Sequence, residues 1–162
     1  MANTFWISIP SLLSFNGRLR RSHYWVTSFA LGIVKAVLTV ILAAVSGQIE
    51  TKDGGFASGV VELLFLWPTL ALLVKRGHDR NRPALFSLGI LAAGTVAAII
   101  VAVTQYRSAP AFSTVCLLIM VGSFGYLVVD YGFIDGTQGP NRYGPSPKGI
   151  GAETQDVAAT FD

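Results

Sequence analysis

The sequence predicts an all-α membrane protein, a bundle of four transmembrane helices with both termini in the cytoplasm and a turn-rich cytoplasmic C-terminal segment. Four apolar stretches predict the helices, at residues 24–45, 56–74, 84–103 and 112–129. At 1.5 Å rise per residue, stretches of about 18 to 22 residues cover about 27 to 33 Å, which matches a hydrocarbon core of about 30 Å. Because hydrocarbon offers the backbone no hydrogen-bond partner, we expect these stretches to be closed helices.

The composition agrees with one small membrane domain. Of 162 residues, 52% are hydrophobic and 13% are charged, and the mean hydropathy is +0.55. A soluble helical domain would have to shield four segments that are apolar all round rather than along one stripe. Cys116 is the single cysteine, so a disulfide within the chain is excluded, and we interpret it as a small apolar residue. The net charge of +3 does not indicate nucleic-acid binding, because the basic residues flank the apolar stretches instead of forming one patch.

The distribution of lysine and arginine predicts the orientation. Nine of them lie in the N-terminal segment, the second loop and the C-terminal tail: Arg18, Arg20, Arg21, Lys75, Arg76, Arg80, Arg82, Arg142 and Lys148. The first and third loops hold only Lys52 and Arg107. By the positive-inside rule, this bias places both termini and the second loop in the cytoplasm.

Four sections follow one another along the chain. Residues 1–23 form an N-terminal interfacial arm with a basic motif, 24–129 the transmembrane bundle, 130–148 a turn-rich cytoplasmic cap and 149–162 a flexible tail. Apolar residues recur at roughly helical spacing in the arm, and Trp6 suits a segment lying on the inner leaflet. A short arm packed on the bundle fits the same pattern.

The helices carry two internal features. Small residues such as Gly32, Ala36 and Gly94 recur in the apolar stretches and permit close helix approach in lipid. Pro68 should kink or locally loosen the second helix.

The first polar motif, F-N-G-R-L-R-R-S-H-Y-W, occupies residues 15–25. It places Arg18 and Arg21 where the first helix enters the bilayer, followed by Tyr24 and Trp25, which suit the headgroup belt. These residues either set topology and anchor the interface, or they form a site for an anionic lipid or a partner protein.

The second motif, K-R-G-H-D-R-N-R-P, occupies residues 75–83 and predicts a tight hairpin between the second and third helices. Metal-dependent phosphohydrolases also contain an adjacent histidine and aspartate, as His78 and Asp79 are here. A catalytic metal site needs about three protein ligands, however, and the chain has one other histidine, His23. We therefore expect no metal or cofactor, and we expect Asp79 to pair with neighbouring arginines such as Arg76.

The third motif, G-T-Q-G-P-N-R-Y-G-P-S-P, occupies residues 136–147. Glycine and proline at this density predict successive turns instead of a helix. A phosphate loop is excluded, because no lysine–serine or lysine–threonine pair opens a helix afterwards. We expect this segment, with Asn141 and Tyr143, to fold back over the other two motifs as a cap.

Together the motifs resemble a family of small bacterial inner-membrane proteins known as domain of unknown function 805. The resemblance covers residues 15–147 and rests on F-x-G-R-x-x-R-x-x-Y-W, R-x-H-D and G-x-x-G-x-N-x-Y-G-P-x-P in that order. One departure lies at Pro83, Ala84 and Leu85, where the family often has glycine and tryptophan. The resemblance implies the four-helix fold and the inner-membrane location, and it implies no activity.

Two candidate sites follow. The first is a cytoplasmic-face cluster in which Asp79 and Asp130 offset an excess of arginine, and its members are Arg18, Arg21, Arg76, His78, Asp79, Asp130, Asn141 and Tyr143. The second is an intramembrane ion pair. Lys35 lies about 16 to 17 Å beyond Tyr24, and Glu62 lies about 18 Å before Val74, so the two charges reach one level.

A lone charge at that depth costs about 2.5 to 3.5 kcal/mol on insertion scales. We therefore predict that Lys35 and Glu62 pair and face the interior of the bundle. In the alternative arrangement, Lys35 snorkels and Glu62 turns to the outer surface.

The leading interpretation is a non-enzymatic membrane protein whose cytoplasmic face binds a partner protein or an anionic lipid. The alternative is a small transporter or channel that uses Lys35 and Glu62. Because four short helices enclose little space, the protein would need to oligomerise to line a wide pore. A membrane enzyme using His78 and Asp79 ranks last.

Overall fold

The computed structural model of the protein describes residues 9–47, 55–104 and 110–150. The interfacial Trp6, the loop cations Lys52 and Arg107, and the tail from residue 151 onward lie outside these ranges, and so do the expectations attached to them.

The described residues form helices joined by turns. The helices are α1 (Ile9–Leu13), α2 (Arg21–Val45), α3 (Gly55–Asp79), α4 (Ala84–Thr104) and α5 (Pro110–Leu127), and a π-helical turn (Val128–Phe133) continues α5. Within these ranges there is no strand, and an isolated bridge joins Asn141 to Gly144. Four helices are long and apolar enough to cross a membrane, namely α2, α3, α4 and α5 with its π-helical turn. For the described residues, an all-α fold with four helices long and apolar enough to span a membrane is therefore confirmed.

The chain divides into two compact units. The first comprises Met1–Phe15 and Ser22–Leu72, and the second comprises Asn16–Arg21 and Leu73–Asp162.

In the first unit, α1 is fixed to α3 through Trp67. Its indole Nε1 donates a hydrogen bond to the carbonyl of Leu13 at 2.8 Å, and its ring meets the edge of Phe15 at a centroid distance of 4.8 Å. The neighbouring Pro68 lies inside α3, which continues past it, so this proline does not end the helix.

In the second unit, α4 and α5 pack closely. A Cβ at Gly94 would lie 3.1 Å from the Cβ of Ser123, so the glycine allows the two helices to approach. The hydroxyls of Thr104 and Ser113 form a 2.7 Å hydrogen bond at the other end of the pair. Cys116 is buried in α5.

The C-terminal end of α3 differs from the predicted hairpin. Residues 75–79 are helical, and the turn begins at Arg80. Asn81 adopts a left-handed conformation with φ 56°. The Asn81 N–H donates to the His78 carbonyl, and the Arg82 N–H donates to the Gly77 carbonyl. This is a Schellman motif with asparagine in the position where glycine is commonest. The helix is therefore one turn longer than its apolar stretch and carries the R-x-H-D motif itself.

Candidate functional site

The three polar motifs meet in the second unit. We name this region the polar cap and define it as residues 16–21, 75–83 and 130–148. The structure places all eight residues of the predicted cytoplasmic-face cluster in it: Arg18, Arg21, Arg76, His78, Asp79, Asp130, Asn141 and Tyr143.

Arg76 lies at the centre of the polar cap with 0% exposure. Its Nε donates to the carbonyl of Tyr131 at 2.6 Å, and its Nη1 donates to the carbonyl of Leu19 at 3.3 Å and to the Asp79 carboxylate. Its Nη2 donates to the carbonyl of Ile134. A buried guanidinium is tolerated only when its donors are satisfied. Arg76 meets that requirement by binding the first motif, its own helix, the π-helical turn and the residue that follows the turn.

Asp79 is shared by two arginines. Arg18 Nη2 lies 3.0 Å from Asp79 Oδ1, while the other carboxylate oxygen accepts from Arg76. The backbone carbonyl of Asp79 also accepts a hydrogen bond from the N–H of Thr137 at 2.8 Å. A Cβ at Gly136 would collide with the Asp79 carboxylate, which explains why the third motif begins with glycine.

Arg18 fixes the third motif in place. Its guanidinium donates to the carbonyls of Gly139 and Thr137, each at 2.7 Å. Because Arg18 also binds Asp79, one side chain joins all three motifs.

His78 is enclosed by the first and third motifs. Its ring stacks on Tyr143 at a centroid distance of 3.8 Å and an angle of 7°, and its Nδ1 lies 3.2 Å from the carbonyl oxygen of Gly17. Asn141 Nδ2 donates to the His78 carbonyl at 3.0 Å, and Asn141 Oδ1 accepts from the Tyr143 N–H at 2.9 Å. In the part of the chain that the structure describes, no three histidine, cysteine, aspartate or glutamate residues are grouped to hold a metal ion.

Asp130 and Tyr131 lie on the π-helical turn and are both buried. Asp130 pairs with Arg80 at 2.9 Å and lies 3.7 Å from Arg82. The Tyr131 hydroxyl shares a 2.6 Å hydrogen bond with Ser87 of α4.

The chain matches the family described as "Protein of unknown function (DUF805)" over residues 12–145. It belongs to that family. It is 30% identical over 156 residues to the uncharacterized protein YiiR of Escherichia coli K12, covering 93% of this chain and 92% of that protein. It is 27% identical over 141 residues to the inner membrane protein YhaI of the same strain, covering 86% and 91%. No solved structure matches.

The family membership confirms the resemblance read from the three motifs. With the four apolar helices and a relative named as an inner membrane protein, it supports a multi-pass protein of the bacterial inner membrane. The polar cap of this DUF805 protein lies almost entirely inside the matched region.

Beside the buried network, the polar cap of this DUF805 protein holds a small basic pocket. Its charged and polar lining includes Arg20, Arg21, Asp79, Asp135, Gln138, Ser146 and Lys148. Asp135 lies 3.1 Å from Lys148 Nζ and 3.7 Å from Arg21 Nε. The hydrogen bond from Lys148 lowers the pKa of Asp135, and the charge of Arg21 acts in the same direction. We call this feature the basic pocket.

The intramembrane charges lie in the first unit. Lys35 Nζ is 2.6 Å from Glu62 Oε2. The expectation that the pair faces the interior is wrong for Glu62, whose side chain is 67% exposed, against 23% for Lys35. In the first two turns of α3 the buried residues are Ala57 and Val61. Glu62 follows Val61 directly, so its side chain points about 100° away from that of Val61 at 3.6 residues per turn.

The pair borders an open cleft. Its lining residues are Gly32, Lys35, Ala36, Thr39, Ser58 and Glu62. We call it the Lys35–Glu62 cleft.

The sequence analysis did not identify several residues that lie in the polar cap or contact it. Tyr131, Ser87 and Thr137 make contacts as close as those of the predicted residues. Ser87 could have been identified from the sequence, because it places a polar hydroxyl in the first turn of an apolar helix. The role of Tyr131 depends on the π-helical turn, for which the sequence shows no pattern.

Proposed function

We propose that the protein is a non-enzymatic inner-membrane protein whose polar cap lies on the cytoplasmic side, and that the cations at the mouth of the basic pocket bind the phosphate group of anionic lipids. The proposal rests on the observation that most acidic residues of the polar cap are already paired with arginines. The Asp79 carboxylate is bound by the buried side chains of Arg18 and Arg76, and Asp130 pairs with the partly exposed Arg80. The remaining cations surround a pocket that has one exposed carboxylate of its own, Asp135.

The charge balance supports this assignment. The described residues of the second unit contain nine lysines and arginines and three aspartates, so internal pairing leaves a cationic excess. Three of these cations, Arg20, Arg21 and Lys148, line the basic pocket. Arg20 makes no ion pair within the described part of the chain, and Arg21 and Lys148 share Asp135. A phosphate would offer them the acceptors that one carboxylate does not supply.

The position of the pocket favours a lipid over a partner protein, the other ligand expected from the sequence. Arg21 is the first residue of α2, and its Nη1 donates to the carbonyl of Phe133, the last residue of the π-helical turn, at 2.8 Å. Two spanning segments therefore end beside the pocket, at the level where headgroups lie.

The orientation rests on the basic residues. Nine lysines and arginines lie in the three motifs or beside them. Cytoplasmic segments of membrane proteins are enriched in these residues, so we assign the polar cap to the cytoplasmic side. A reporter that is active only in the periplasm, fused after Asp162, should give no signal. A strong periplasmic signal would overturn the orientation.

The absence of catalysis is also part of the proposal. Its support is that the reactive side chains of the polar cap are already engaged. The ring of His78 is covered by Tyr143 and bonded to Gly17, and the Asp79 carboxylate is bound by two arginines. A general base needs to reach a substrate proton, and these existing contacts oppose that role for both groups.

Native mass spectrometry of the detergent-purified protein tests the proposal. We expect retention of phosphatidylglycerol over phosphatidylethanolamine, and weaker retention in Arg20→Gln with Lys148→Gln. Each basic residue near a membrane surface contributes about 1 kcal/mol, so the double variant should lose affinity by at least about tenfold. The matched control is Arg142→Gln, which removes an exposed cation that does not line the pocket.

Equal retention by the double variant and the control would contradict the proposal. A soluble protein bound at fixed stoichiometry, with no dependence on anionic lipid, would contradict it in favour of the partner-protein interpretation.

A further inference from the structure

The exposed Glu62 carboxylate is out of place in a membrane-spanning helix. Ionisable residues inside spans almost always face protein or a water-filled cavity. Glu62 is 67% exposed, and among the described residues only Lys35 donates to it. A carboxylate has about four acceptor sites, so one donor leaves most of them unused in hydrocarbon.

The surroundings of the pair allow another helix to approach. Gly32 and Ala36 on α2 are exposed and four residues apart, and Gly55 and Gly59 on α3 have the same spacing. A Cβ at Gly32 or Gly59 would meet nothing within 4 Å, so the space in front of each glycine is open. Small residues at this spacing let helix backbones pack closely in lipid.

We propose that the Lys35–Glu62 cleft is the interface of a homodimer in which two copies exchange ion pairs. A two-fold axis along the membrane normal keeps every residue at its depth. Lys35 and Glu62 both lie about 16 to 18 Å from the same membrane boundary, so such an axis brings Lys35 of each copy to Glu62 of the other. The result is a ring of four alternating charges, which gives each carboxylate a second donor.

The face is self-complementary, because it carries one cation and one carboxylate at one depth on two helices. A helix from a different protein would need its own pair of opposite charges at that depth. A solute path through the cleft would need polar residues along the span. The lining instead has Thr39 and Ser58 on one side of the ion pair and Gly32 on the other, so its polar residues cover only part of the span. A second copy of the chain therefore fits the cleft best.

Disulfide crosslinking in native membranes tests the interface, with the full chain in a Cys116→Ala background. Ala36→Cys should give a dimer band on oxidation. The matched control is Leu38→Cys, because residue 38 is exposed on the opposite side of α2. Adding Lys35→Met with Glu62→Gln to Ala36→Cys should lower the crosslinked fraction at least fivefold while the protein remains folded. No dimer at residue 36, equal crosslinking at 36 and 38, or an unchanged fraction in the neutral variant would overturn the proposal.

Complementary charge variants distinguish exchanged pairs from pairs within one chain. Lys35→Glu gives a copy with two acidic side chains, and Glu62→Lys gives a copy with two basic ones. Each should fail to crosslink with itself at Ala36→Cys, and co-expression of the two, each with a different tag, should restore a mixed dimer. Self-crosslinking of either variant at the level of the unmodified pair, or no gain on mixing, would overturn the exchange.

Discussion

Arg18 and Asp79, which are 61 residues apart in the chain, form a 3.0 Å ion pair whose side chains are 2% and 4% exposed. The pair joins the first motif to the second, and Arg18 continues to the backbone of the third. The fold of the polar cap therefore depends on Asp79, which neutralises two arginines at once.

Asp79→Asn should destabilise the protein by about 3 to 5 kcal/mol, because it leaves the buried Arg18 and Arg76 without their carboxylate. Thermal unfolding in detergent measures the change. The control is Asp135→Asn, whose solvent-exposed ion pairs should contribute far less to stability. Equal effects of the two substitutions would contradict the buried network.

Gly136→Ala should destabilise by about 1 to 3 kcal/mol, because the added Cβ would collide with the Asp79 carboxylate. Gly122→Ala is the matched control. Its Cβ would meet nothing within 4 Å, and alanine favours a helix interior over glycine by about 1 kcal/mol. The same unfolding assay applies, and a neutral Gly136→Ala would show that the third motif does not pack on Asp79.

Asp135 should titrate below an ordinary aspartate, because the hydrogen bond from Lys148 lowers its pKa. A lowered folded-state pKa gives stability that is present above the unfolded pKa and is lost as the pH falls through the folded pKa. Carboxyl ¹³C NMR of aspartate-labelled protein reports the midpoint. Lys148→Gln should raise it toward the ordinary value, and an unchanged midpoint would contradict the contact.

Lys35→Met should destabilise more than the double variant Lys35→Met with Glu62→Gln, because the single change leaves a carboxylate without its cation. Thermal unfolding of both single variants and the double variant completes the cycle. We expect a coupling of about 0.5 to 3 kcal/mol. Strictly additive effects would show that the two charges do not interact.

The length of the apolar stretches was sufficient to predict the four spanning helices. The depths of Lys35 and Glu62 could be counted along two helices because the helical rise is constant. The exposure of the Glu62 side chain could not be predicted in this way, because it depends on which face of α3 is buried. Charge and position also indicated which residues gather in the polar cap.

The individual contacts of the polar cap could not be predicted from the sequence, and the reason is physical. Arg76 and Arg18 bind mostly to backbone carbonyls, at Leu19, Tyr131 and Thr137 among others. Every residue has a carbonyl, so such contacts leave no pattern in residue type. The extension of α3 to Asp79 was missed because the helix ends through a left-handed Asn81, where glycine would have given the signal.

Photocrosslinking at the basic pocket tests the central claim most directly. A benzophenone amino acid at Gln138, an exposed residue of the pocket lining, would be irradiated in living cells, and the adducts would be identified by mass spectrometry. The control position is Pro140, which is exposed on the same segment but does not line the pocket. We expect anionic phospholipid adducts at residue 138 and few at 140. Equal lipid labelling at the two positions, or a single protein adduct at 138, would contradict a lipid site in the polar cap.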